Sequence, residues 1–239
     1  MRQNMNKDKE HLMSMLKENK ISQDDYNLLL GALNKKSFFD KVSSLFLINP
    51  FQKIAGFNAL ILGMVVMIFM SYFGVIAKVY FPGVLSVLNA SAVVNQKIEN
   101  NFLLLVYQNL VAWLVLSGMF MMASKIFQQK RVRIVDFLGT VALARFPLLI
   151  LTLFMSIIRV VNPGFLAIDL SKGIPLHPSI AMSIFSAIAI CLFIWQVATY
   201  FYALKESSGL IGKKLWLSFI VSLILGECIA SPLTTIFMN

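Results

Sequence analysis

The sequence predicts an all-α polytopic membrane protein, with five transmembrane helices behind a short cytoplasmic N-terminal helical hairpin. Of its 239 residues, 58% are hydrophobic and 13% are charged, which leaves a soluble domain too few polar side chains for its surface. Five apolar stretches reach the roughly 20 residues that a helix needs to cross a bilayer. Their hydrophobicity is continuous rather than alternating, which favours helices over the strands of a barrel. The predicted spans cover residues 54–77, 102–123, 137–158, 180–204 and 215–238.

Residues 1–37 are polar and charged and are predicted to form the helical hairpin. Leu12, Met15 and Leu16 line the apolar face of its first helix. Ser22 then restarts the helical pattern, and with Asp25 three residues later it is suited to cap a second helix. The hairpin is too small to hold a core alone. Three roles therefore stay open for it: binding of a protein partner, self-association into a homo-oligomer, and docking on its own membrane domain.

Residues 38–50 are predicted to form an interfacial amphipathic helix, because apolar side chains recur there at helical spacing opposite polar ones. Asn49 and Pro50 mark its end. Such a helix either lies flat on the inner leaflet or packs against the bundle, and the sequence leaves both open. Residues 51–239 then form the five-helix transmembrane domain.

Basic residues collect on one side of the predicted spans. Nine lie before the first span, four between the second and third, and three between the fourth and fifth, against four on the opposite side. Because Lys and Arg accumulate in cytoplasmic loops, this asymmetry predicts a cytoplasmic N-terminus and an outside C-terminus. It also accounts for the net charge of +10 without a nucleic-acid partner. The partner it implies is the lipid bilayer.

Two ionisable side chains fall inside predicted spans, Arg145 in the third and Glu227 in the fifth. A charge at the centre of a spanning helix costs roughly 2.5 to 3.5 kcal/mol on insertion scales. Both residues lie about 18 to 20 Å past the basic residues that flank their spans, at 1.5 Å per residue. Their matching depth predicts a direct, charge-assisted pair. The pair would either fix the order of the helices, the interpretation we favour, or line a pathway for a substrate or proton.

Each charged span also carries a proline near its charge, Pro147 in the third and Pro232 in the fifth. Proline removes a backbone donor, and we therefore expect both helices to kink there, for packing or for gating. Asp136 lies nine residues before Arg145, on the opposite helix face and near the cytoplasmic end. It is predicted to neutralise the basic loop or to sit favourably in the first turn of its helix.

Motifs for catalysis, cofactors and metals are missing from the sequence. Residues 209–214 lack the spacing of a phosphate-binding loop and are predicted to form a cytoplasmic turn. The two histidines stand apart, and Cys191 and Cys228 fall within spans, where a thiol acts as a small apolar group. We therefore expect no enzymatic activity, no cofactor, no disulfide, and no catalytic or metal-binding residue.

Four short motifs follow one another along the chain. They are Asn-Pro at 49–50, Asp-Phe-Leu-Gly at 136–139, Ala-Arg-Phe-Pro at 144–147, and Tyr-Ala-Leu-Lys-Glu-Ser-Ser-Gly at 202–209. In this order, within residues 45–238, they resemble the bacterial branch of the Yip family, the Ypt/Rab-interacting membrane proteins. The resemblance implies a five-span domain without enzymatic activity, in the cytoplasmic (inner) membrane of a bacterium. In eukaryotes the family is associated with vesicle traffic and small GTPases, and a longer N-terminal region stands where this chain has its hairpin.

The function expected from the sequence is that of a non-enzymatic, Yip-like integral membrane protein. It would act as a scaffold or organiser that recruits a cytoplasmic protein partner through the hairpin. The alternative is a small transporter or channel that uses Arg145 and Glu227.

Overall fold

The protein divides into two compact units, Met1–Leu45 and Phe46–Asn239. Their structure is a computed structural model, which describes part of the chain. The described residues are 11, 13–16, 18, 22–26, 46–86, 101–127, 133–163 and 180–236.

The first unit has helical backbone at residues 13–16 and 23–26. Ser22 Oγ accepts a hydrogen bond from the backbone N–H of Asp25 at 3.1 Å and donates one to its carboxylate at 2.7 Å. The first bond satisfies an amide that a helix start leaves unpaired. The cap predicted at Ser22 is therefore confirmed. The remainder of the predicted hairpin, and residues 38–45 of the predicted interfacial helix, lie outside the described residues.

The second unit begins with a turn at residues 46–48 and a short 3₁₀ helix at Pro50–Gln52. Six α-helices follow in the described residues. They are α1 Gly56–Ala77, α2 Phe102–Ile126, α3 Ile134–Leu143, α4 Phe146–Val161, α5 Ile180–Ser208 and α6 Gly212–Thr235. Helices α3 and α4 are the two halves of the third span, so the helices match the five predicted spans, each long and apolar enough to cross a membrane. The described residues contain no strand, and the all-α, multi-pass prediction is confirmed.

The third span lies at the centre of this unit. In its most apolar stretch 61% of the residues are buried, against 22 to 39% in the other four spans. Both of its halves pack against α1 and against α5, and α3 also contacts α2. Helix α6 packs chiefly along α2. The fifth span is therefore not a close neighbour of the third.

Small residues allow α1 and α3 to approach each other closely. A Cβ added to Gly139 would lie 2.5 Å from the carbonyl oxygen of Gly56, and one added to Gly63 would meet Ala142. Any larger side chain at either glycine would push the two helices apart. The glycine that ends the Asp-Phe-Leu-Gly motif is thus explained by this helix crossing.

Candidate functional site

The third span is interrupted at its middle, where Ala144 and Arg145 separate α3 from α4. Pro147 lies in the first turn of α4, beside the point where its ring and missing N–H predict a kink. The carbonyl of Ala144 accepts a hydrogen bond from Thr199 Oγ1 on α5 at 3.0 Å. The fourth span therefore provides a donor for a carbonyl group at the break, and non-helical backbone within a bilayer needs such internal partners.

Arg145 is fully buried at this break and bonds to neutral side chains on two other spans. Its Nη2 donates to Asn109 Oδ1 on α2 at 2.9 Å, and its Nη1 donates to the Tyr200 hydroxyl on α5 at 3.4 Å. Its Nε has no partner among the described residues. The charge is thus held by side-chain dipoles rather than by a carboxylate in the described part of the chain.

Further bonds extend this contact to the first span. Asn109 Nδ2 donates to Ser71 Oγ on α1 at 2.9 Å, and Gln196 Nε2 donates to the Tyr200 hydroxyl at 3.0 Å. We call these residues the Arg145 cluster, and each is at most 1% exposed: Ser71, Asn109, Arg145, Gln196, Thr199 and Tyr200. The cluster joins four of the five spans through side chains with almost no access to solvent.

A non-helical segment after α1, residues 79–85, folds back into the unit. Residues 79–84 are all buried. The side chains that hold it lie well inside their helices, because Gln108 is six residues from the start of α2 and Glu227 is eight from the end of α6. Those separations correspond to about 9 and 12 Å of helix. We call residues 79–85 the re-entrant segment.

Side chains of the second and fifth spans accept backbone N–H groups in the middle of this segment. Gln108 Oε1 accepts from Phe81 at 2.9 Å, and Thr234 Oγ1 accepts from Gly83 at 2.9 Å. Pro82, between them, has no N–H to satisfy. Gln108 Nε2 in turn donates to the carbonyl of Thr234 at 3.1 Å, which links the two holding residues.

Glu227 accepts the next two N–H groups. Its Oε2 lies 2.7 Å from the N of Val84 and 2.8 Å from the N of Leu85. Gly83 has a φ of +75°, and a Cβ there would meet the Glu227 carboxyl group. The bonds from Phe81 to Leu85 satisfy every backbone N–H in that stretch, which non-helical backbone needs at membrane depth.

The predicted pair between Arg145 and Glu227 is wrong, because the two side chains have different partners. The physical reason is the packing of the helices, since α6 lies along α2 rather than along the third span. The depth argument also fails when it is counted from the true helix starts. Arg145 is 11 residues from the start of α3 and Glu227 is 15 from the start of α6, or about 16 and 22 Å.

Asp136 lies in the first turn of α3, where the sequence places it. A Cβ on Gly56, the first residue of α1, would lie 3.4 Å from its Oδ1. The carboxylate is therefore close to the positive ends of two helix dipoles, which is a favourable position for it. Pro232 differs from Pro147, because α6 passes through it without interruption and continues to Thr235.

The uncharged residues of the Arg145 cluster and of the contacts to the re-entrant segment were not predicted, because they carry no charge and belong to no known motif. Asn109, Gln108, Gln196 and Thr234 are uncharged polar residues inside apolar spans. That position is itself a signal, since a polar side chain in a bilayer needs an internal partner. The sequence did not show which of them meet each other.

Within the described ranges, no group of three His, Cys, Asp or Glu side chains could hold a metal ion. Cys191 and Cys228 are both free and exposed. Comparisons with protein-family models, with curated proteins and with solved structures find no match to this chain. The resemblance to the Yip family therefore stays a prediction.

Proposed function

We propose that this protein is a non-enzymatic, Yip-like membrane scaffold whose bundle tethers the N-terminal unit for a cytoplasmic partner. The observation that carries the proposal is that both intramembrane charges bond to other parts of the same helical bundle. Arg145 bonds the second and fourth spans, and Glu227 bonds the re-entrant segment. Both charges thereby join parts of one bundle, a role that needs neither a substrate nor a reaction.

The start of the second unit is fixed to the fourth span, which also favours tethering. Trp195 Nε1 donates to the carbonyl of Leu47 at 2.8 Å, and Asn49 Nδ2 donates to Glu206 Oε1 at 2.9 Å. Asn49 is 3% exposed, so its bond is sheltered from water. These two bonds hold the start of the second unit on the fourth span.

Partner recovery tests the recruiting role. Proximity labelling in the native membrane would compare the full chain with a chain that lacks residues 1–37. We expect labelled cytoplasmic partners to be lost on deletion and reduced by Ser22→Ala, which removes the helix cap. Ser14→Ala is the matched control, because among the described residues of this unit Ser14 Oγ bonds only the carbonyl of His11. Unchanged partners after the deletion would refute recruitment by the hairpin.

A small transporter or channel is the second candidate, favoured by the break in the third span. Interrupted helices and intramembrane charges form the binding sites of many transporters. Arg145 Nε and Gln196 Oε1 also lack partners among the described residues. Arg145 is 0% exposed, so conduction along it would require a second conformation.

Flux into proteoliposomes decides between the two candidates. The scaffold proposal expects no protein-dependent flux of chloride or protons. Transport would replace it if flux were present in the wild type and lost in both Arg145→Gln and Glu227→Gln. Flux that persisted in both variants would exclude the two charges from any pathway.

A further inference from the structure

One end of the second unit carries basic side chains that no described acidic residue pairs with. Successive spans run in opposite directions, so the starts of α1, α3 and α6 lie at the same end as the ends of α2 and α5. We call this the basic end, and its described cations are Lys53, Lys125, Arg133, Lys205, Lys213 and Lys214. Two described carboxylates lie there, but Asp136 sits at helix starts and Glu206 is bonded to Asn49. None of the six cations forms an ion pair within the described ranges.

Three of these ammonium groups lie over aromatic rings. The distance from Nζ to the ring centroid is 5.8 Å for Lys53 over Phe46, 5.6 Å for Lys205 over Tyr202, and 5.9 Å for Lys214 over Phe127. Such contacts are attractive and hold the ammonium close to the level of the ring. Aromatic rings at a membrane interface lie at the level of the lipid headgroups. The lysines are thus held where lipid phosphates lie.

Exposed apolar side chains adjoin the same cations. Ile126 is 74% exposed, Ile211 is 78% exposed and Trp216 is 57% exposed. Ile126 follows Lys125 in the chain, and Ile211 and Trp216 lie on either side of Lys213 and Lys214. An acidic protein in water would meet the cations but would leave these side chains uncovered. A phospholipid provides a phosphate and hydrocarbon together.

We propose that the basic end is a docking surface for anionic phospholipids, with its strongest position around Phe127. There the end of α2 meets the start of α6, because Lys214 lies over the Phe127 ring, and Lys125 and Lys213 lie within two residues of this contact in the chain. Charge complementarity selects a headgroup with a net negative charge over a zwitterionic one. The inference is independent of whether the protein acts as a scaffold or a transporter.

Lipid selection by the full chain tests the proposal. Protein purified in a neutral detergent would be offered equal amounts of phosphatidylglycerol and phosphatidylcholine, and bound lipid would be counted by native mass spectrometry. We expect the wild type to prefer phosphatidylglycerol. In the double variant Lys213→Gln with Lys214→Gln, the loss of each lysine should reduce that preference about five-fold. The preference should also weaken at 1 M salt, where the Debye length falls to about 3 Å.

The matched control removes two cations from the opposite end, Lys78→Gln with Arg159→Gln. Retained selection in the control, with loss in Lys213→Gln and Lys214→Gln, supports the proposal. Equal loss in both double variants would show that total charge, rather than this surface, selects the lipid, and would overturn it. Absence of preference in the wild type would overturn it as well. Thermal unfolding of each variant in phosphatidylcholine confirms that exposed substitutions leave the fold intact.

Discussion

The Arg145 cluster and the re-entrant segment accommodate opposite charges in different ways. Arg145 is bonded to uncharged side chains from two other spans, and its Nε makes no bond within the described residues. Glu227 receives two short bonds from consecutive backbone N–H groups. The Arg145 cluster shows that, within the described residues, neutral side chains can hold a buried cation in place of a carboxylate. Neutral dipoles serve a cation, and unpaired backbone amides serve an anion.

The two arrangements differ in what would disturb them. A guanidinium group has five donors in a rigid fork, so its environment depends on acceptors placed by other helices. Glu227 depends instead on the path of the re-entrant segment, which Gly83 allows by its positive φ. The cluster should therefore be sensitive to side-chain deletion, and the segment to both its acceptor and its backbone.

The largest effect is expected from removing the acceptor of the shorter bond to Arg145. Asn109→Leu keeps a similar volume but leaves a buried guanidinium without its 2.9 Å partner. We expect the free energy of unfolding in mixed micelles to fall by about 3 kcal/mol. Tyr200→Phe is the comparison, because it removes the 3.4 Å bond from Arg145 and the 3.0 Å bond from the neutral Gln196 amide, and it should cost about 1 to 2 kcal/mol. Equal losses in the two variants would contradict this ranking of the bonds.

A smaller effect is expected from Glu227. Glu227→Ala leaves two N–H groups, at buried Val84 and half-buried Leu85, without their acceptor and should cost about 2 kcal/mol, whereas Glu227→Gln keeps one carbonyl oxygen and should cost about 1 kcal/mol. Hydrogen exchange at Val84 and Leu85 should speed up in the alanine variant, since their bonds are lost. Asp24→Asn, at an exposed carboxylate of the first unit, is the control for loss of charge. If Ala and Gln behaved alike, the acceptor would not be what holds the segment.

The backbone requirement of the segment predicts an effect of similar or smaller size at Gly83. Gly83→Ala should destabilise the protein by about 1 to 2 kcal/mol, because its φ is positive and its Cβ would meet the Glu227 carboxyl. Gly118→Ala is the control, since a Cβ there has no atom within 4 Å and the residue lies inside α2. The control should be neutral or slightly stabilising in thermal unfolding. A harmless Gly83→Ala would show that the segment has another path available.

Sequence periodicity and hydropathy predicted the five spans and the cap at Ser22, because those features depend on local chemistry. The sequence did not predict which helices are neighbours, because the packing of α6 on α2 does not depend on local sequence patterns. The pairing of Arg145 with Glu227 failed for that reason, and because Pro147 breaks the third span while Pro232 leaves the fifth continuous. The re-entrant segment was not predicted either, because the bonds that hold it, from Phe81 to Gln108 and from Gly83 to Thr234, form only when the chain folds back.

A double-mutant cycle between Arg145→Gln and Glu227→Gln tests the central claim most directly, namely that the two charges act separately. The free energy of unfolding would be measured for the wild type, both single variants and the double variant in the same bilayer mimetic. Residues without shared partners give additive effects, so we predict a coupling energy within about 0.5 kcal/mol of zero. A coupling energy of about 1.5 kcal/mol or more, in which the double variant loses less stability than the two single variants together, would show that the charges form a pair.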